Sequence, residues 1–287
     1  MPAERPCHPA LTDVTPCAGH FPGLLRARPV GDNTRLMPAR LARHLLRHHR
    51  TPAANLQLGG MLAWIAGAAN ASGFLVVHQY TSHMTGMVSS LADALALGQL
   101  SLASSTLISI ACFVLGSACC ALCVQWARRR VRHEYALALL IQAVLMLLFG
   151  LLAGRVAPGV SLTLHMTAWS LCLMMGWQNA MITKLSHAEI RTTHVTGLLT
   201  DIGIGLGRWL GPAQDRLTRR RARRKLAVQA AIVGLFFIGG LCGAWTFQWV
   251  GVVASVPLAL LLIAMALAPL WDDWRAWHRW QRMHRVN

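Results

Sequence analysis

Acidic residues are scarce in this chain: ten Asp and Glu stand against 27 Lys and Arg in 287 residues. Charged residues of either sign make up 13% of it, where a soluble domain carries about 25%. With 55% hydrophobic residues, the chain cannot cover a globular surface with polar groups. Zinc-finger spacings, RNP-like motifs and a basic helix with base-reading residues are all missing. The net charge of +17 therefore does not point to nucleic acid, and no nucleic-acid partner is expected. HExxH, a DxxDG-like metal motif and a Ser/His/Asp set at membrane depth are also missing, which argues against an enzyme and implies no metal or cofactor. The N-terminal segment lacks the apolar core of a signal peptide. The eight cysteines do not make a disulfide framework, since four crowd one apolar block at Cys112, Cys119, Cys120 and Cys123. Cys120 and Cys123 spell CxxC inside a predicted span, where cysteine behaves as a small hydrophobe.

What the chain does have is long apolar blocks, at 56–79, 102–126, 135–153, 160–183, 226–248 and 250–271. Blocks of about 20 residues read as membrane-spanning helices. Two shorter blocks lie at 86–99 and 197–210. The fold class is all-α: a polytopic membrane protein with the lipid bilayer as its first partner. Residues 1–54 form a basic N-terminal segment, 55–272 the membrane domain and 273–287 a basic cytoplasmic tail. Residues 1–36 read as disordered and dispensable, with Met37 a candidate start. Residues 37–49 suit a basic amphipathic helix on anionic inner-leaflet lipids; His44 and His48 there face solvent. Trp271, Trp274, Trp277 and Trp280, interleaved with Arg, suit an interfacial helix after the last span.

The blocks repeat. "TSHMTG" at 81–86 returns as "TTHVTG" at 192–197, each followed by a short block. Gly67-Ala-Ala-Asn70-Ala71 precedes the first and Gly176-Trp-Gln-Asn179-Ala180 the second. Each unit, 56–153 and 160–271, holds three long blocks and one short one. A 14-residue block reaches about 21 Å as a helix, short of the roughly 30 Å hydrocarbon core. Charge supports the same division. With the N-terminus inside and the short blocks not crossing, 26 of the 27 Lys and Arg lie inside, leaving Arg155 outside. If both short blocks cross, the inside count falls to 21. Six spans with two re-entrant or interfacial helices are therefore preferred over eight. Three spans per unit invert the second unit, so the first hexapeptide faces out and the second in. Inverted repeats with short helices are a mark of secondary transporters.

The candidate solute- or ion-binding residues follow from the repeat: Asn70, His83, Thr85, Gly86, Asp93, Gln178, Asn179, His194, Thr196, Gly197 and Asp201. The Thr hydroxyls can cap the short helices, and the glycines allow close backbone approach. Asp93 and Asp201 are the two acids in membrane-depth blocks, where a carboxylate is costly and tends to mark an ion or proton pathway. Asn70, Gln178 and Asn179 suit interhelical hydrogen bonds, and His83 and His194 lie at the helix mouths. The two Thr-Gly pairs are expected to approach each other across the pseudo-twofold, with both aspartates turned inward.

The pairing of "GAANASGF…SHMTGM" with "GWQNAMI…THVTGLLTDIG" resembles the YoaK-like family of bacterial integral membrane proteins, whose domain is of unknown function. The resemblance covers about residues 56–270 and implies a multi-pass protein of the bacterial inner membrane; the Lys and Arg count puts both termini in the cytoplasm. Asn70 stands where the family pattern implies Asp, and Met87 where it implies Asn. The expected function is transport of an unidentified small solute or ion, with proton coupling at Asp201 one form of it. The alternative is a membrane scaffold or sensor acting through the basic cytoplasmic face. The oligomeric state is open between monomer and homo-oligomer.

Overall fold

In a computed structural model, the described residues are 52–130, 134–156, 161–185, 195–211, 215–267 and 271. The expectations for 1–51, for His194 and for the tail from 272 onward lie outside them. The elements among the described residues are helices: α1 Pro52–Val77, α2 Met84–Ala96, α3 Leu100–Arg130, α4 Glu134–Ala153, α5 Ser161–Leu185, α6 Val195–Leu210 and α7 Arg216–Val250. A single 3₁₀ turn, Gly251–Ala254, then leads into α8, residues 255–267.

The elements begin and end where local chemistry dictates. Pro52 opens α1, a first-turn position where its missing N–H costs nothing. His78 closes α1 in a left-handed conformation (φ +53°), its N–H returning to the Phe74 carbonyl at 2.8 Å. Gly98 (φ +69°) turns α2 into α3, and Gly251 (φ +63°) ends α7. The long helices overrun the apolar blocks. α3 continues through Arg128–Arg130, and α7 starts at Arg216, ten residues before the apolar block at 226. Arg, Ala, Leu and Lys are good helix formers, and extending an existing helix adds one bond per residue fixed.

Among the described residues, four helical stretches are long and apolar enough to cross a membrane: Leu56–Val77, Leu100–Arg130, Tyr135–Ala153 and Arg219–Leu267. The chain is thus a polytopic membrane protein. Much of α3 and α7 is open on its apolar side, with Leu107, Val114, Leu122, Phe237 and Trp245 exposed to what would be lipid.

Neighbouring helices pair in a regular way. α1 packs most extensively on α7, and α3 on α5; α2 lies on α3, and α6 on α7; α1 also meets α5. The two main crossings are built alike. A Cβ on Gly67 would overlap the carbonyl of Phe236, and one on Gly239 the carbonyl of Trp64. At the other crossing, Gly176 lies against the carbonyl of Phe113 and Gly116 against that of Leu173. Each crossing thus joins a glycine and the residue three before it on both helices. Small residues let the backbones touch, and dispersion between them drives association where there is no water to expel. The principal core joins α1, α3, α4, α5 and α8 through residues such as Leu62, Met146, Phe149, Met174 and Leu262.

Candidate functional site

The residues of the first hexapeptide and its upstream asparagine converge. Asn70 on α1 is buried, and its Oδ1 accepts a hydrogen bond from Ser82 Oγ at 3.0 Å. Ser82 lies within the link that the left-handed His78 turns back over α1. Tyr80 in that link stacks on Phe74, ring centroids 4.4 Å apart. Thr81 is fully buried, with no protein partner for its hydroxyl. His83 occupies the N-cap position of α2 without a side-chain capping bond, and its imidazole covers the face of Gly86, where a Cβ would collide with it.

That arrangement corrects the capping expectation. Thr85 is inside the helix at its second position, exposed, and its carbonyl accepts from Ser89 Oγ at 3.1 Å. The helix starts two residues earlier than a Thr85 cap requires. Beside this junction lies a cleft of about 280 Å³ between α2, α3 and the link. Gln79, Tyr80, His83, Ser90 and Thr106 give it polar groups, Met87 and Leu102 apolar walls, and Gly86 part of its surface. Asp93 takes no part: it is exposed on the outer face of α2, in line with Thr85 and Ser89.

The second junction carries charge instead. Asp201 on α6 faces α7, where its Oδ2 accepts from Gln229 Nε2 at 2.7 Å and lies 3.2 Å from Lys225 Nζ. Leu198 beside it is buried, whereas Thr196 and Gly197 are exposed, and a Cβ on Gly197 would meet nothing within 4 Å. Close packing is therefore not the role of Gly197 within one chain. Gln178 is completely buried and donates from Nε2 to the Leu62 carbonyl at 2.8 Å, joining α5 to α1; its Oε1 has no protein partner. Asn179, half-buried, accepts from Thr183 Oγ1 through its backbone carbonyl at 2.8 Å.

Asn70, His83 and Gly86 are thus brought together, and Asp201 gains two partners on α7. The Thr-Gly pairs are not brought together. Through the run of neighbours α2, α3, α5, α1, α7, α6, the short helices stand at opposite ends. The aspartates are not equivalent either. Ser90, not Asp93, follows Gly86 by the interval at which Asp201 follows Gly197. Leu102 and Thr106 precede Gly116 by the intervals at which Lys225 and Gln229 precede Gly239. The cleft and the Asp201 cluster therefore occupy corresponding places, one lined by neutral groups and the other holding an ion pair.

Sequence reasoning did not reach Ser82, Ser90, Thr106, Lys225 or Gln229. Counting from the repeat along α3 and α7 could have found the last three. Gln142, fully buried in α4 with both amide atoms unpartnered by protein, was also passed over; it is the lone polar residue between Tyr135 and Gly150. Among the described residues, no group of three His, Cys, Asp or Glu could hold a metal ion.

Neither a curated protein nor a solved structure matches the chain. A family model does, over residues 58–268, nearly the whole stretch that carries the YoaK-like resemblance. The chain belongs to that family, described as "Protein of unknown function (DUF1275)".

Proposed function

We propose that this protein transports a small solute or ion across the bacterial inner membrane. It is built as two inverted halves, 56–153 and 160–271, of three spans and one short helix each. The observation that carries the reading is the matched pair of glycine crossings, α1 with α7 and α3 with α5. Each crossing takes one helix from each half, an interlocked arrangement in which either half can tilt against the other.

Helix lengths support six crossings. Arg219–Leu267 would extend about 73 Å as one helix, more than twice the roughly 30 Å core, and it breaks at Gly251. It therefore crosses twice. The 25 residues of α5 reach about 37 Å, enough to cross, although its Thr, Gln and Asn residues lower its hydropathy. α2 and α6, with 13 and 16 residues, reach about 20 and 24 Å and fall short. In this arrangement both termini and 208–225 are cytoplasmic and Arg155 is external. The exposed basic residues Arg128–Arg130 and Arg219–Lys225 then meet the anionic inner leaflet.

Proton coupling would act at Asp201. A proton there discharges the carboxylate and releases Lys225, loosening α6 from α7. Purified protein in pyranine-loaded liposomes, challenged with a panel of small solutes under an imposed pH gradient, tests this. At least one solute should shift the lumenal pH faster than in protein-free liposomes. Asp201→Asn should abolish the pH-dependent flux and leave the melting temperature nearly unchanged, because a pair this open to solvent contributes at most about 1 kcal/mol. Undiminished pH-dependent flux in Asp201→Asn would remove coupling from this site.

A further inference from the structure

At the cleft between α2 and α3, corresponding positions of the two halves differ in kind. In the second half, Asp201, Lys225 and Gln229 satisfy one another. In the first, Ser90, Leu102 and Thr106 stand at those positions and leave space. We propose that this cleft is the binding site for an uncharged, hydrogen-bonding small solute, an inference that rests on the transport reading above.

Charge accounting selects the class. No Asp, Glu, Lys or Arg lines the cleft. Its polar groups are an amide, a phenol, an imidazole and two hydroxyls, which both donate and accept. A charged solute would find no counter-ion there, and taking an unpaired charge out of water costs far more than taking a neutral polar group that finds partners. The second junction gives it none either, because the Asp201 carboxylate is already matched by Lys225. Size points the same way: about 280 Å³ sits at the small end of ligand pockets. Thr106 already donates to the Leu102 carbonyl at 2.8 Å, so its oxygen is left to accept from the solute. The apolar walls, Met87 and Leu102, suit a carbon skeleton rather than a hydrated ion.

Reagent charge tests this without knowledge of the solute. Full-length Ser90→Cys and, separately, Thr106→Cys are placed in liposomes. They are treated with methanethiosulfonates bearing a neutral hydroxyethyl, a cationic trimethylammonioethyl or an anionic sulfonatoethyl group. Modification at the introduced cysteine is followed by peptide mass spectrometry, and each rate is divided by that with 2-mercaptoethanol. Val114→Cys, on the apolar outer side of α3, measures the preference due to partition into lipid. The neutral reagent should react at least about tenfold faster than either charged one at positions 90 and 106, beyond the ratio at 114. A charged reagent equal to the neutral one, or a ratio no larger than at 114, overturns the solute class. No modification at either position by any reagent overturns the site. Labelling needs no turnover, so these failures are separable from an absence of flux, which would defeat the transport reading instead.

Discussion

His78 is the one non-glycine residue among those described with a positive φ, +53°, and it reverses the chain so that Ser82 reaches Asn70. A left-handed conformation costs an L-residue roughly 1–2 kcal/mol, which glycine does not incur. His78→Gly should therefore raise the stability by about 1 kcal/mol, and His78→Val should lower it, in thermal melts of the detergent-purified protein. Equal melting of all three would show that the turn is not strained. Ser82 is a second probe: Ser82→Ala leaves a buried amide oxygen of Asn70 without this donor, at a cost of about 1–3 kcal/mol. At this scale the sequence is half legible. Asn70, His83 and Gly86 stand out because the motif repeats. Ser90 and Thr106 do not, because small hydroxyls in apolar helices usually bond their own backbone, as Thr106 does. Asp93 and Asp201 look alike in the sequence. They separate only once the helical phase is known, one facing outward and the other α7.

Among the elements, the glycine crossings carry the sharpest expectation. Gly67→Ala or Gly176→Ala would drive a methyl into the carbonyl of the facing helix, and backbone on both sides has little room to retreat. Each should cost roughly 1–3 kcal/mol in melts, and by similar amounts, since the crossings correspond. Gly234→Ala, also in α7 but with open space around the added Cβ, should be neutral or gain up to about 1 kcal/mol from helix propensity. A harmless Gly67→Ala alongside a damaging Gly234→Ala would contradict the packing described. The helices themselves are legible as apolar blocks, to within a few residues for α4 and α5. The ends of α3 and α7 are not, because arginine runs look like loops to hydropathy yet favour helix.

At the scale of the whole molecule, the repeat predicts two related halves but not how they lock together. Pairing α1 with α7 and α3 with α5 requires contacts over long sequence separations. Neither spacing nor periodicity encodes these, which is why the Thr-Gly pairs were expected to meet and instead lie at opposite ends of the row of helices. The proposed transport function rests on inversion, which would put two copies of one hexapeptide, each beside a short helix, on opposite sides of the membrane. Thr85 and Thr196 are corresponding, exposed residues and suit the test. Thr85→Cys and Thr196→Cys, each expressed in intact cells, are treated with a membrane-impermeant maleimide before and after permeabilisation. The account predicts that Cys at 85 is labelled in intact cells and Cys at 196 only after permeabilisation. Labelling of both from the same side would contradict the inverted halves, and with them the six-span transporter.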